Sequence, residues 1–363
     1  MGKNISKADN KKNLKNNNQR ITNQNSNNPN SNNRSLNNPN SKNSTKISSN
    51  NSNSNSNNIN MNFKSKYLTK IITIKEHTAW IKSVKIFPSG NIISAADDEC
   101  INIYAKNTYK LIQKIEKAHL LDIIYIDIKN EQNFVTCSYD KTIKTWIKRI
   151  DIFKLNYTIE NAHNRDIYCV KYFNNDNLVS CSQDHSIKIW EYINFKYQLL
   201  TIIIELEDIN SILLLKDKNI LISAGGNGTT LYKIYENGLN ISCICNLNEA
   251  FGGCWNDLCR IDDNKIVVGG EEYLYIICIY TKSIIKKIKI DFRSNGICYI
   301  ENKKILLVGG WGYDILIYKG DNFELIERFK FAHLNYINGF CKMENNCVLS
   351  FSGDFRIIIW NIN

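Results

Sequence analysis

Long apolar runs are scarce in this chain of 363 residues, and the N-terminus has no apolar core of the kind that a secretory signal needs. The longest aliphatic stretches, such as residues 202–204 with their neighbours, are far shorter than a membrane span. No cysteine precedes Cys100, so no palmitoylated cysteine can anchor the N-terminal segment. These absences lead us to expect a cytosolic protein whose twelve cysteines are reduced.

Acidic residues are almost absent from one end of the chain. Residues 1–70 contain twelve Lys or Arg and a single acid, Asp9, and so carry the whole +11 net charge of the protein. The remainder is therefore electrically neutral. A basic folded face that reads nucleic acid is not indicated, although loose electrostatic binding by the N-terminal segment stays open.

Aliphatic residues are also few in residues 1–60, which hold 24 Asn and much Ser. Such a segment has too little apolar surface to offset the entropy of ordering it, so we predict a disordered basic arm over residues 1–66. Its start, Met-Gly-Lys-Asn-Ile-Ser-Lys, fits the pattern for N-myristoylation of Gly2. Because one acyl chain binds membranes weakly, the lysines of residues 1–20 would add attraction to an anionic membrane surface.

Histidine is scarce as well, and four of the five histidines belong to one repeated pattern. Each lies 21 residues before an Asp, and six residues after that Asp comes a Trp or Tyr. The four sets are His77, Asp98 and Tyr104; His119, Asp140 and Trp146; His163, Asp184 and Trp190; His333, Asp354 and Trp360. The fifth histidine, His185, is expected to be a solvated turn residue.

The last position of each set belongs to a period that extends along the chain. The positions are Tyr104, Trp146, Trp190, Tyr235, Cys278, Tyr318 and Trp360, and their spacing of 40 to 45 residues predicts seven units of about four strands. A sheet of this size cannot bury both faces alone, so neighbouring units must stack.

The turn segments Thr136-Cys-Ser-Tyr-Asp140, Ser180-Cys-Ser-Gln-Asp184 and Ser350-Phe-Ser-Gly-Asp354, with their His and Trp partners, resemble WD-repeat proteins. The resemblance covers residues 67–363 and implies an all-β, seven-bladed β-propeller. It also implies that the first strand completes the last blade, which removes an open sheet edge.

Blades 4, 5 and 6 depart from the pattern, because they lack His and have Thr229, Glu272 and Gly312 at the Asp position. Their glycine pairs mark the same corner: Gly225-Gly226, Gly269-Gly270 and Gly309-Gly310.

Repetition argues against catalysis. His, Asp and Ser together could form a hydrolase triad, but an enzyme needs one such set and this chain has four. The resemblance implies that each His, Asp and aromatic residue joins a Ser or Thr in a buried hydrogen-bond network. We therefore predict no catalytic residue and no cofactor.

Several cysteines could be either metal ligands or buried core residues. Cys243, Cys245, Cys254 and Cys259 lack the paired spacing of a zinc site, so we predict buried strand thiols and no metal. Cys137 and Cys181 occupy the small-residue position that Ala95 holds in blade 1, which predicts core thiols.

Recognition is the remaining role. WD-repeat propellers bind partners on the rim around their central channel, and their usual contact positions transfer to nine residues here: Trp80, Asp97, Asp122, Tyr139, Asp166, Tyr168, Gln183, Trp311 and Tyr336. Exposed Trp and Tyr are frequent binding hot spots. We predict a non-enzymatic scaffold for protein–protein contacts, with Trp80 and Trp311 as its main contact residues.

Two short motifs leave alternatives open. Trp146-Ile-Lys-Arg149 resembles the Trp-Asp-x-Arg motif of cullin ubiquitin-ligase substrate receptors, with Ile147 in place of the acid. Phe292-Arg-Ser-Asn-Gly296 resembles the Phe-Arg-Arg-Gly motif of phosphoinositide-binding propellers, with one Arg in place of two. A ligase substrate receptor and a phosphoinositide-binding propeller are therefore alternative functions on the same fold.

Overall fold

The computed structural model describes residues 64–174, 176–235, 238–251 and 258–363. The predicted basic arm, Gly2 included, lies outside the described residues except for residues 64–66. The strands are β1 (Leu68–Ile74), β2 (Ile81–Ile86), β3 (Ile92–Ala96), β4 (Ile101–Tyr104), β5 (Leu111–Ile115), β6 (Ile123–Asn130), β7 (Asn133–Ser138), β8 (Ile143–Arg149), β9 (Ile152–Ile159), β10 (Ile167–Tyr172), β11 (Leu178–Ser182), β12 (Ser186–Ile193), β13 (Lys196–Ile204), β14 (Ile209–Leu215), β15 (Ile220–Gly225), β16 (Gly228–Tyr235), β17 (Asn240–Leu247), β18 (Leu258–Arg260), β19 (Lys265–Gly269), β20 (Tyr273–Cys278), β21 (Ser283–Lys289), β22 (Ser294–Ile300), β23 (Ile305–Gly310), β24 (Ile315–Lys319), β25 (Leu325–Phe329), β26 (Ile337–Lys342), β27 (Cys347–Ser352) and β28 (Ile357–Ile362). One short 3-10 turn covers Lys216–Lys218.

These strands form seven antiparallel sheets of four strands, as the repeat period predicts. Blades 1 to 6 each take four consecutive strands, from β2–β5 to β22–β25. Blade 7 contains β26, β27 and β28 and takes its outer strand from the start of the propeller, because β1 pairs with β28. The register matches Leu68 with Ile362, and the amide of Asn363 donates to the carbonyl of Tyr67. This pairing joins the two ends of the propeller and gives blade 7 its fourth strand.

Burial falls from the middle of each blade to its outer strand. In blade 3, every residue of β11 is buried, whereas β13 alternates between exposed and half-buried positions. The middle strands have a neighbouring blade on each face, so both sets of alternating side chains are covered. The outer strand has solvent on one side, so its side chains stay exposed or half-buried, including the aliphatic Leu199 and Ile202.

The core consists of layers between adjacent blades. Ile189 and Trp190 of blade 3 belong to one buried cluster with Leu221 and Tyr232 of blade 4. Each large apolar side chain buried in this way contributes about 1.5–3 kcal/mol relative to exposure. No blade can keep this contribution without its neighbours, so the sheets stabilise one another around the ring.

The glycine pairs lie at the turns between the second and third strands, where the backbone passes close to the start of the inner strand. A Cβ on Gly225 would lie 2.0 Å from the carbonyl oxygen of Asp208, and one on Gly310 would lie 2.0 Å from that of Arg293. Any larger residue would therefore displace the turn. These two glycines preserve in blades 4 and 6 a corner that side-chain hydrogen bonds hold elsewhere.

Two terminal positions predicted from the period are wrong. In blade 3, Trp190 pairs with Leu178; the matching pair in blade 4 is Tyr232 with Leu221, so Tyr232 takes the place predicted for Tyr235. The turn of blade 4 is one residue shorter, since Ser223 and Tyr232 are nine residues apart and Ser180 and Trp190 are ten, and Tyr235 lies three residues past the true position. In blade 5, Ile277 takes the place predicted for Cys278.

Some of the cysteine predictions are confirmed and one is wrong. Cys137 and Cys181 are fully buried in the core. Cys243 is exposed on β17, because that outer strand faces solvent, so its prediction as a buried thiol is wrong. Cys254 lies outside the described residues. Within the described ranges, no group of three or more His, Cys, Asp or Glu side chains is placed to hold a metal ion.

One hairpin turn contains a strained aliphatic residue. Arg149 pairs with Ile152, and Ile150 between them has a φ of 60°. A positive φ at the first central residue is the pattern of a type II′ turn, where glycine is preferred. A left-handed backbone costs an L-residue about 1–2 kcal/mol, and more for a β-branched side chain.

We expect Ile150→Gly to raise the free energy of unfolding by about 1 kcal/mol, because glycine relieves this strain and Ile150 buries nothing. Urea unfolding of the purified protein would measure the change. The neighbouring Asp151→Gly variant is the control, and it should leave the stability unchanged or lower it slightly. A less stable Ile150→Gly variant would contradict the turn assignment.

Candidate binding rim

The repeated His–Asp pattern forms a buried network at the same edge of four blades. In blade 3, His163 Nδ1 lies 3.0 Å from the Asp184 carboxylate, and His163 Nε2 lies 2.7 Å from Ser180 Oγ. The indole N–H of Trp190 donates to the same Ser180 Oγ over 2.9 Å. These contacts join β11 and β12 to the loop that precedes β10 and fix the turn that contains Asp184.

The same geometry recurs where the sequence predicts it. His119 contacts Asp140 and Thr136 at 2.9 and 2.8 Å, and His333 contacts Asp354 and Ser350 at 3.0 and 2.7 Å. The indoles of Trp146 and Trp360 donate to Thr136 and Ser350. Blade 1 has the set His77, Asp98, Ser94 and Tyr104, with the phenol 3.4 Å from Ser94 Oγ.

The network controls the protonation of its members. Burial alone would raise the pKa of Asp184, but hydrogen bonds from His163 and Ser186 outweigh it and hold that pKa well below its usual range. Burial lowers the pKa of His163 against the opposing pull of Asp184. An ionised Asp184 then also accepts the backbone N–H of Asn164 over 2.9 Å and positions the loop that leads into β10.

Blade 4 has a substitute network that sequence reasoning missed. Glu205 is buried and accepts the hydroxyls of Ser223 and Tyr232 on one carboxylate oxygen, over 2.5 and 2.8 Å. Glu205 thus stands where the other blades have His. The pairing of Ser223 with a tyrosine nine residues later was the available signal, but the shorter turn concealed it.

The networks bring the predicted contact positions together in pairs. In each of six blades, the residue at the turn donates its backbone N–H to the carbonyl of the residue that precedes the inner strand, over 2.9–3.1 Å. The pairs are Asp97 with Trp80, Tyr139 with Asp122, Gln183 with Asp166, Gly226 with Asp208, Trp311 with Arg293, and Gly353 with Tyr336. We call this set of positions, with Tyr168, the rim. Asp208 and Arg293 belong to it by geometry, although the prediction omitted them.

Aromatic side chains gather on the rim of blades 6, 7 and 1. The rings of Trp311 and Tyr336 are stacked, with centroids 4.9 Å apart and planes 11° from parallel. Trp80 meets Tyr336 edge-on at 5.8 Å, and Tyr313 lies 5.7 Å from the same ring. Trp80 and Trp311 nevertheless keep 37% and 47% of their surface exposed. We call these four residues the aromatic cluster.

Two cations hold the aromatic cluster in place. Lys82 Nζ lies 5.0 Å from the centre of the Trp80 ring, and the guanidinium of Arg293 lies 5.6 Å from that of Trp311. Arg293 also reaches Glu271 over 3.6 Å, so it is already engaged by protein groups. The motif residues around it point inward: Phe292 and Ser294 are both buried.

Carboxylates and tyrosines make up the rim of blades 1 to 4. Burial raises the pKa of Asp97 to about 7, opposed by Lys82 at 3.2 Å and assisted by the negative charge of Asp122. Burial also raises the pKa values of Asp122 and Asp166, against nearby cations. His185, predicted to be merely solvated, contacts Asp208 at 3.2 Å. Tyr139 and Tyr168 pack edge-on between these acids, and Gln183 is half-buried beside them.

Comparison with known proteins agrees with this geometry. The family model described as WD domain, G-beta repeat matches residues 68–104 and 153–191, which contain every member of the networks of blades 1 and 3. The two matched repeats, the seven four-stranded sheets and the repeated networks together support a WD-repeat β-propeller family for this chain. A WD-repeat protein is typically a non-enzymatic interaction scaffold.

One curated relative of this WD-repeat protein is Lissencephaly-1 homolog 1 from Paramecium tetraurelia. It is 36% identical over 80 residues, which is 22% of this chain. The matched segment spans only 20% of the length of that relative. No helix in the described part of the chain has the length and apolar character needed to cross a membrane.

We expect Ser180→Ala to lower the free energy of unfolding by about 2–3 kcal/mol. The variant leaves a ring nitrogen of His163 and the N–H of Trp190 buried without their common partner. Urea unfolding would measure the loss. Ser283→Ala, on a half-buried outer strand, is the control and should change stability by less than about 0.5 kcal/mol. Equal stability of the two variants would contradict the role of the network.

Asp97 predicts a pH effect with a definite sign. Its folded-state pKa is raised, so the folded protein binds this proton more tightly than the unfolded chain, and the stability from Asp97 is lost as pH rises through about 7. Relative to Asp97→Asn, the wild type should therefore gain roughly 1–2 kcal/mol between about pH 8 and about pH 5. Unfolding curves of both proteins at the two pH values would test this; a pH-independent difference would contradict it.

Proposed function

We propose that this protein is a cytosolic, non-enzymatic scaffold that holds protein partners against the rim. The observation that carries the proposal is the aromatic cluster, where two tryptophans stay half exposed although stacking and cation contacts fix their positions. Ordered, exposed aromatic side chains are what interface hot spots require, because a partner can cover them at little entropic cost.

The acidic half of the rim narrows the chemistry of the partner. Asp97, Asp122 and Asp166 all have raised pKa values, which means that the nearby cations do not fully stabilise their negative charge. A cationic group on a partner would relieve this cost. The rim therefore suits a segment with an apolar anchor for Trp80 and Trp311 and basic residues that extend toward blades 2 and 3.

Catalysis by a His–Asp–Ser set is disfavoured by the geometry. Ser180 Oγ is fully buried, and both the His163 ring and the Trp190 indole contact it. A nucleophile in this position has no path to a substrate. The same arrangement in three other blades supports a structural role.

The ligase-receptor and phosphoinositide alternatives gain no support from their motifs. Trp146 is buried in the core of blade 2, and Ile147 supplies no carboxylate. Arg293 is the single arginine of the second motif, and it contacts Trp311 and Glu271. We propose further that the arm, through Gly2 and the lysines of residues 1–20, tethers the scaffold to an anionic membrane.

The test is affinity purification from the native cell followed by mass spectrometry. Trp80→Ala/Trp311→Ala should reduce the amount of each co-purified partner at least about tenfold, because both anchors are removed. Circular dichroism should show an intact fold. Leu155→Ala/Leu199→Ala removes two exposed leucines from the outer strands β9 and β13 and is the matched control, which should keep every partner.

A third protein lacking residues 1–63 separates the arm from the rim. This boundary keeps Ser65, whose hydroxyl accepts the backbone N–H groups of Tyr67 and Leu68 at the start of β1. The truncated protein should leave the membrane fraction and still capture the rim partners. Partner loss on truncation, with full retention in the double tryptophan variant, would overturn the rim as the binding face.

A further inference from the structure

The hairpins at the edge opposite the rim expose large apolar side chains. In blade 3, β12 begins at Ser186 beside the turn Asp and ends at Ile193, which places its two ends about 23 Å apart at about 3.3 Å per residue. The β12–β13 hairpin therefore projects from the far edge of the blade. The β8–β9 and β20–β21 hairpins occupy the same place in blades 2 and 5. We call this edge the hairpin face.

Three side chains at these tips are almost wholly in solvent. Ile150, Phe195 and Tyr280 are exposed by 97%, 84% and 82%. Ile152 and Ile193 beside the first two tips are exposed as well. Isolated apolar side chains on a surface are common, but such side chains at the hairpin tips of blades 2, 3 and 5 form a recurring feature of one face.

The backbone at the first two tips is in a strained conformation that no contact within the folded chain offsets. Ile150 has a φ of 60° at a glycine-preferring position. Asn194 and Phe195, between the paired residues Ile193 and Lys196, have φ of 51° and 62°, the pattern of a type I′ turn, which favours Asn-Gly. Phe195 thus stands where glycine would be more stable.

Blade 6 provides the internal comparison. Phe323, in the β24–β25 turn, also has a positive φ, of 55°, but its ring is buried in the core between blades. Burial there stabilises the fold in return for the strain. Phe195 and Ile150 receive no such return from the folded chain, so their strained, exposed placement indicates a contact outside it.

Basic residues flank the exposed tips. Lys148, Arg149 and Lys154 lie around Ile150, and the nearby carboxylates Asp151 and Glu131 line one cavity with Lys148. Lys196 follows Phe195, and Lys282 lies next but one to Tyr280. The corresponding turns of blades 1 and 6 are polar instead, with Asn107 and Thr108, and Asp321 and Asn322, exposed. Apolar tips and cations therefore coincide on the same hairpins.

We propose that the hairpin face binds an anionic lipid bilayer, with Ile150 and Phe195 inserted among the lipids and the flanking Lys and Arg against the headgroups. A bilayer accommodates separate protrusions at once, whereas a rigid protein surface would need a pocket for each tip. Apolar side chains at the acyl boundary with cations at the headgroups are the chemistry of interfacial membrane binding, and Tyr280 suits the same boundary. The face lies opposite the rim, so a membrane there leaves the rim free.

The test uses full-length protein without an acyl group and sucrose-loaded vesicles of phosphatidylcholine, with or without phosphatidylserine. The wild type should sediment with the anionic vesicles. Ile150→Asn/Phe195→Asn should weaken this binding at least about tenfold. Asn tolerates a positive φ, so the variant should unfold at the same or a higher urea concentration than the wild type.

The matched control makes the same chemical change at the other edge. Leu120→Asn/Leu334→Asn removes two exposed leucines whose backbone N–H groups donate to the turn residues Asp140 and Asp354. This variant should bind vesicles as the wild type does. An equal loss in the control would show general hydrophobic adhesion and would overturn the proposal.

Salt separates the hairpins from the basic arm. If the tip variant binds as tightly as the wild type and high salt releases both, the arm alone holds the protein and the proposal is wrong. The proposal is also wrong if the wild type does not bind anionic vesicles. In that case, loss of a protein partner by the tip variant would show that the tips bind a protein and not a membrane. None of these outcomes affects the rim, because the tryptophan variant is tested for protein partners alone.

A depth measurement places the side chain directly. Phe195→Trp should be quenched by lipids with brominated acyl chains in anionic vesicles, whereas Leu120→Trp should not be. Equal quenching at the two positions would contradict insertion of the hairpin face.

Discussion

The pairing of β1 with β28 is the contact on which the rest of the structure depends. Each four-stranded sheet has two apolar faces and covers neither alone, so the core exists only between neighbours. A row of sheets would leave its first and last members half exposed. By pairing Leu68 with Ile362, the chain gives blade 7 its fourth strand, and every blade then has two neighbours. The positions of all rim residues follow from this ring.

Within the ring, the residues of the buried polar networks stabilise the fold, and different residues on the same turns face solvent. His, Asp and Ser are used where a hydrogen bond can fix a turn in the dry interior, and the same turn presents the residue before the Asp to solvent. Tyr139 and Gln183 are such residues, and hydrogen bonds to the backbone carbonyls of Asp122 and Asp166 fix their backbone positions. The rim can therefore vary in chemistry, from the acids of blades 1 to 4 to the aromatic cluster of blades 6, 7 and 1, without a change in the fold.

Much of the fold could be predicted because its signals are local and repeated. The spacing from His163 to Asp184 to Trp190 reflects a fixed path of two strands and a turn, and four copies of it indicate the propeller. Prediction was wrong where the path changed length. The terminal position of blade 4 is Tyr232, three residues before the predicted Tyr235, and the turn before it is one residue shorter than in blade 3. The hydrogen bonds of Ser223 and Tyr232 to Glu205 reveal Glu205 as the substitute for His.

The rim and the hairpin face show a second limit of sequence reasoning. The period indicated which positions share an edge, but not that Trp311 stacks on Tyr336 or that Arg293 lies over Trp311. The first contact joins blades 6 and 7 and the second lies within blade 6, and both depend on side-chain orientation, which a repeat period does not indicate. The solvent exposure of Ile150 and Phe195 could not be predicted either. In the sequence, an apolar residue at a strand end resembles a core residue, and only the turn geometry shows that it lies in solvent.

The most direct test of the rim as the recognition face is site-specific photo-crosslinking in the native cell. A photoreactive amino acid would replace Trp311 in one protein and Leu199, exposed on the outer strand β13, in another. We predict protein adducts from position 311 and none from position 199. Adducts from position 199 with none from position 311 would contradict the account, because partners would then approach the side of the ring.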